Sequence, residues 1–81
     1  MKIRVQLFAL ARELAGEDVV ELELPSDATV AELRAALVAA AAPLAELVPH
    51  SAVAIDACYA TNLTPIEPGA EIVLIPPVSG G

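Results

Sequence analysis

Tryptophan is absent from these 81 residues, and Phe8 and Tyr59 are the only aromatic side chains. A core must therefore be packed from aliphatics. Ala, Val, Leu and Ile supply nearly all of the 57% hydrophobic content, which fits a compact domain rather than a disordered chain. Cysteine occurs once, at Cys58, excluding an internal disulfide framework and any multi-thiolate metal site. Basic residues are scarce too. Lys2, Arg4, Arg12 and Arg34 stand against eleven acidic residues, and none follows Arg34. Nucleic-acid binding needs a basic stripe, so no nucleic-acid partner is expected. An acidic surface suits solubility and steering toward a basic protein partner. No apolar run is long either. Ala35–Ala42 stops at Pro43, well short of the roughly 20 residues that a membrane span requires. The opening Met-Lys-Ile-Arg-Val-Gln-Leu alternates charged and apolar residues, unlike a signal peptide. A cytoplasmic protein with no membrane partner is expected.

The length allows one domain. Residues 2–8 read as a strand, with Ile3, Val5 and Leu7 on one face and Lys2, Arg4, Gln6 and Phe8 on the other. Leu10 and Leu14 lie one turn apart on a short helix that Gly16 ends. Residues 19–24 alternate again, turning Val20, Leu22 and Leu24 inward. Thr29 with Glu32 has the spacing of a capping box. The main helix is predicted over 30–41, with Val30, Leu33, Leu37, Ala40 and Leu44 tracing one face. Ala52–Ile55 reads as a third strand, Tyr59–Leu63 as a short fourth, and Glu71–Ile75 as the last, after a Pro68-Gly69 turn. The last strand is apolar on both faces, which places it centrally, beside and parallel to the first. The pattern is α+β: a mixed four- to five-stranded sheet packed on one main helix, over residues 1–75.

Side chains capable of chemistry are few. His50, in Pro49-His50-Ser51, reads as a solvated loop histidine. Cys58 has no basic neighbour in sequence to favour its thiolate, and reads as a packed or incidental thiol. The carboxylates fall at surface spacing, and no glycine-rich phosphate loop or nucleophile–base arrangement occurs. No metal site is expected. What remains is the segment 76–81, Pro76-Pro77-Val78-Ser79-Gly80-Gly81, read as an extended C-terminal tail. The two prolines stiffen the exit in a polyproline-like form, at about 3.1 Å per residue, so the segment reaches up to about 19 Å. It carries no charged side chain, and its last two residues have no side chain at all. Such a tail fits a narrow channel and lets a partner approach its backbone from both sides.

The sequence resembles the small subunit of molybdopterin synthase, a family of ubiquitin-like sulfur carriers with the β-grasp fold. Phe8-Ala9-Leu10-Ala11-Arg12-Glu13-Leu14-Ala15-Gly16 is similar to that family's N-terminal signature, and Thr29-Val30-Ala31-Glu32-Leu33-Arg34 to its helix start. Pro68-Gly69-Ala70-Glu71-Ile72 and Ile75-Pro76-Pro77-Val78-Ser79-Gly80-Gly81 resemble its ending, the most specific motif. Two departures are visible: Ile55-Asp56 stands where the family usually has Val-Asn, and Ala70 where it usually has Asp. Neither touches the tail.

The resemblance implies that Gly81 is the reacting residue. An activating enzyme would adenylate its carboxylate with ATP, and a persulfide sulfur would then displace AMP to leave a thiocarboxylate. The tail would enter the large catalytic subunit, where the sulfur attacks a pterin precursor and becomes part of the dithiolene that binds molybdenum. The chain itself would bind no cofactor and act as a non-catalytic sulfur donor. Phe8, on the outer face of the first strand, would be a docking anchor, with Ile75 in the same patch. Competing readings are a sulfur carrier for another pathway, such as thiamine thiazole synthesis, a ubiquitin-like protein modifier joined through Gly81, and a binding module with an inert tail. A β-grasp iron–sulfur ferredoxin is excluded, because one cysteine cannot hold a cluster.

Overall fold

A computed structural model describes residues 1–77; Val78, Ser79, Gly80 and Gly81 lie outside the described residues. Strand β1 (Lys2–Leu7) alternates as expected, burying Ile3, Val5 and Leu7. Helix α1 (Ala9–Ala15) follows at once and ends at Gly16, whose left-handed backbone (φ 76°) lets its N–H donate to the Arg12 carbonyl. A residue with a Cβ would strain there. Strand β2 (Val19–Glu23) returns antiparallel to β1, pairing Ile3 with Leu22 and Val5 with Val20.

Helix α2 (Val30–Ala40) buries Val30, Leu33 and Leu37. The Glu32 carboxylate accepts the Thr29 N–H at 3.3 Å, the acidic half of the expected capping box. The next two N–H groups, of Val30 and Ala31, donate to the carbonyls of Thr64 and Asn62. The predicted inward face needs one correction. Ala40 is exposed and Ala41 is buried instead, because Ala41 leaves helical geometry (φ −136°, ψ 79°) and turns the chain into a 3-10 turn, Ala42–Leu44. That turn drives Leu44 into the core. A second 3-10 turn, Val48–His50, leads into β3 (Ala52–Ile55).

The fourth strand is shorter and earlier than expected. It runs Cys58–Ala60, because Asp56 and Ala57 form a two-residue turn with both φ positive (49° and 69°) and Cys58 already pairs with Ile55. Residues 61–64 are instead a turn, closed by the Thr64 N–H on the Thr61 carbonyl at 3.1 Å. Their carbonyls are the ones that satisfy the start of α2. Pro68-Gly69 makes a type II turn, with the Ala70 N–H on the Glu67 carbonyl at 3.2 Å and Gly69 at φ 81°.

The sheet order is β2-β1-β5-β3-β4, with β5 (Ile72–Ile75) in the centre, parallel to β1 and antiparallel to β3. Central placement is why β5 is apolar on both faces. The inner face, with Val5, Leu7, Val53, Ile72 and Leu74, joins Leu33, Leu37 and Leu44 in one core. A mixed sheet wrapped on one long helix is the β-grasp arrangement.

Arg34 ties the second half together. From α2 its Nη1 donates to the carbonyls of Val48 (2.6 Å) and Ser51 (2.8 Å), and its Nε donates to Asn62 Oδ1 at 2.8 Å. One side chain thus fixes the entry to β3 and the exit from β4.

Candidate functional site

The strand register sets the outer face of the sheet. A single row crosses all five strands: Val19 pairs with Gln6, Gln6 with Val73, Val73 with Ala54, and Ala54 with Tyr59. On one side of that row the face is charged. Lys2 lies opposite Glu23 and Arg4 opposite Glu21, the latter pair 4.0 Å apart. On the other side it is apolar. Phe8, still extended (φ −118°, ψ 151°), continues the outward set of β1 and is 47% exposed. Leu7 pairs with Leu74, so Phe8 and Ile75 are the next residues of two adjacent parallel strands, and Ala52 pairs with Ile75 from the far side. Ile75 is half-buried, and Tyr59 at the sheet edge is 77% exposed.

Parallel pairing of β1 with β5 has a further effect: both strands end at the same end of the molecule. Phe8 therefore lies where the chain leaves β5 through Pro76, which is half-buried, and Pro77, which is exposed. The structure brings Phe8, Ile75 and Pro76 to one end of the sheet. The other tail residues named from sequence, Val78, Ser79, Gly80 and Gly81, lie outside the described residues.

The remaining candidates do not assemble into a catalytic group. His50 is exposed at the end of its 3-10 turn, and Cys58 is an exposed free thiol at the start of β4, not a packed one. The two are separated by the length of β3, on the order of 13 Å. Ser51 is the one buried polar residue among those described, and its hydroxyl donates to the Leu47 carbonyl at 2.8 Å. Among the described residues no three His, Cys, Asp or Glu side chains cluster as metal ligands, and no helix is long and apolar enough to cross a membrane. The depressions are open rather than enclosed. One of about 420 Å³ lies on the outer sheet face beside Arg4, Gln6 and Glu71, and another of about 540 Å³ lies between α1 and the first 3-10 turn. Neither has the enclosed shape with converging polar groups that a small substrate needs.

Two features leave no local sequence signal. Tyr59 joins the outer-face patch only because β3 joins β4 to β5. Arg34 stands in the helix-start motif, but its partners lie 14 to 28 residues away.

The model of the ThiS family matches residues 5–81. Over 81 residues the chain is 35% identical to the molybdopterin synthase sulfur carrier subunit of Arabidopsis thaliana, covering all of this chain and 84% of the relative. The crystal structure of SAMP1, a small archaeal modifier protein of Haloferax volcanii, superposes with a TM-score of 0.86 at 34% identity, over 100% of both chains. A subunit of the molybdopterin-converting factor of Helicobacter pylori, solved as a complex of subunits 1 and 2, superposes with a TM-score of 0.69 at 30% identity, again over 100% of both chains.

Proposed function

The chain belongs to the ThiS family, and from that membership we propose that it is a sulfur carrier, the small subunit of a molybdopterin synthase. The observation that carries this reading is the full-length likeness to the Arabidopsis sulfur carrier subunit, with a family match that runs through to Gly81. The chemistry is placed on the Gly81 carboxylate. A carboxylate oxygen is a poor leaving group, so it must be activated first. Attack of that oxygen on the α-phosphorus of ATP forms the acyl adenylate and releases pyrophosphate. A persulfide sulfur then attacks the acyl carbon and AMP leaves; cleavage of the sulfur–sulfur bond, with two electrons from a thiol, leaves the thiocarboxylate. Its sulfur is passed to a pterin precursor to build the dithiolene, and water returns the carboxylate.

On this reading the domain contributes recognition, and the enzymes that hold the tail contribute catalysis. Two partners follow: a large catalytic subunit and an adenylating, sulfur-transferring enzyme. The likeness to a subunit solved with its partner supports the first. The apolar half of the outer face, with Phe8 and Ile75 beside the tail exit and Tyr59 at the sheet edge, is the docking surface, since exposed aromatics flanked by aliphatics form binding anchors.

Deleting Gly81, or adding one residue after it, should abolish sulfur transfer while leaving the thermal unfolding midpoint unchanged. A synthase that still matured its pterin with either variant would sink the proposal. A second reading is a protein modifier joined to lysines through Gly81, favoured by the likeness to SAMP1. Covalent adducts with other proteins, in place of a thiocarboxylate, would support it.

A further inference from the structure

Helix α1 leaves two leucines exposed. Leu10 and Leu14, one turn apart, are 48% and 42% exposed, while Ala11 is the residue of α1 that enters the core. The two leucines form one wall of the open trough of about 540 Å³, and Ala42, Pro43 and Leu47 form much of the other. The trough belongs to the helical layer, apart from the outer sheet face that carries Val73, Ile75 and Tyr59.

Its rim is acidic. Glu46 lines it, and Glu13, three residues after Leu10, lies on the flank of α1 that carries the leucines. Neither takes part in the ion pairs found among the described residues. Arg12, two positions from each leucine and so on the other side of the helix, is turned to Asp18 at 3.8 Å.

We propose that this trough is a docking site for an amphipathic helix of a partner protein, apolar on one face and flanked by Lys or Arg. The walls are helical turns and no strand edge opens into it, so an extended peptide would gain no sheet hydrogen bonds there. A helix satisfies its own backbone and can seat apolar residues at i, i+3/i+4 and i+7 against Leu10 and Leu14. A second copy of this chain is the wrong occupant, because its net charge of −7 sets like charge against the glutamate rim.

The test is an NMR titration of the full ¹⁵N-labelled chain with a synthetic Leu/Lys amphipathic helical peptide, and with the same peptide carrying Glu for Lys. The proposal expects amide shifts confined to residues 10–17 and 42–47, and no binding of the Glu peptide. Leu10→Ser/Leu14→Ser should weaken the Lys peptide by about tenfold or more, because much of the apolar contact is lost. Both leucines are half-exposed, so the variant should melt with the parent; Leu14→Gln alone gives a second, milder reading of the same site. Shifts on the Phe8 face or scattered over the acidic surface, equal binding of the two peptides, or unchanged affinity of both variants would each overturn it. So would self-association through residues 10–17 in sedimentation.

Discussion

Replacing Arg34 by Met should cost this fold a large share of its stability. The guanidinium makes three hydrogen bonds, to the carbonyls of Val48 and Ser51 and to Asn62 Oδ1, all between 2.6 and 2.8 Å. A bond to a charged donor contributes roughly 1.5–3 kcal/mol when buried. Here the cluster is only half-buried and water can reach part of it, so the three together are worth about 2–3 kcal/mol. Against roughly 4–12 kcal/mol of total stability for a chain of this length, that is substantial. It corresponds to a fall of roughly 10–20 °C in Tm, read by circular dichroism or urea titration. Methionine keeps much of the aliphatic stem, so the loss reports the donors rather than the packing. Arg34→Lys should recover part of the loss, since an ammonium can reach the carbonyls but cannot also serve Asn62 in the same fork. Because none of the three partners is a carboxylate, the loss should persist at high salt. A Tm within about 3 °C of the parent for Arg34→Met would refute the clamp.

Ala57→Gly should stabilise by up to about 1 kcal/mol, because relief of the left-handed backbone at Ala57 (φ 69°) outweighs the extra entropy of glycine when unfolded; denaturant midpoints measure this, and a lowered midpoint contradicts it. Phe8→Ala, at a half-exposed position, should leave the melt nearly unchanged and weaken binding to the large subunit by about tenfold or more, as loss of an aromatic anchor does. Calorimetry would read it, and unchanged affinity would remove Phe8 from the interface.

How far the sequence carries is clearest element by element. β1 and β2 were legible because their alternation has period two and most of their outward residues are charged. The central position of β5 was legible from its two apolar faces, and its parallel pairing with β1 followed. α2 was legible from its cap spacing and apolar face. Its end was not. Ala39 through Ala42 are chemically alike, so nothing local marks Ala41 as the residue that leaves the helix and enters the core. The β3–β4 turn was displaced because Asp56-Ala57 lacks the glycine that normally signals such a turn. For the site, Phe8 stood out as an aromatic on a polar face. Tyr59 and the Leu10–Leu14 wall did not, since periodicity alone cannot tell an apolar residue facing the core from one facing solvent.

Intact-mass spectrometry tests most directly whether the Gly81 carboxylate takes up sulfur. The chain is incubated with a candidate activating enzyme, ATP and a sulfur donor, then weighed and fragmented. The prediction is a mass gain equal to one oxygen-to-sulfur exchange, confined to Gly81 and dependent on ATP. An unchanged mass under conditions that load an authentic sulfur carrier, or sulfur found on Cys58 instead, would contradict it.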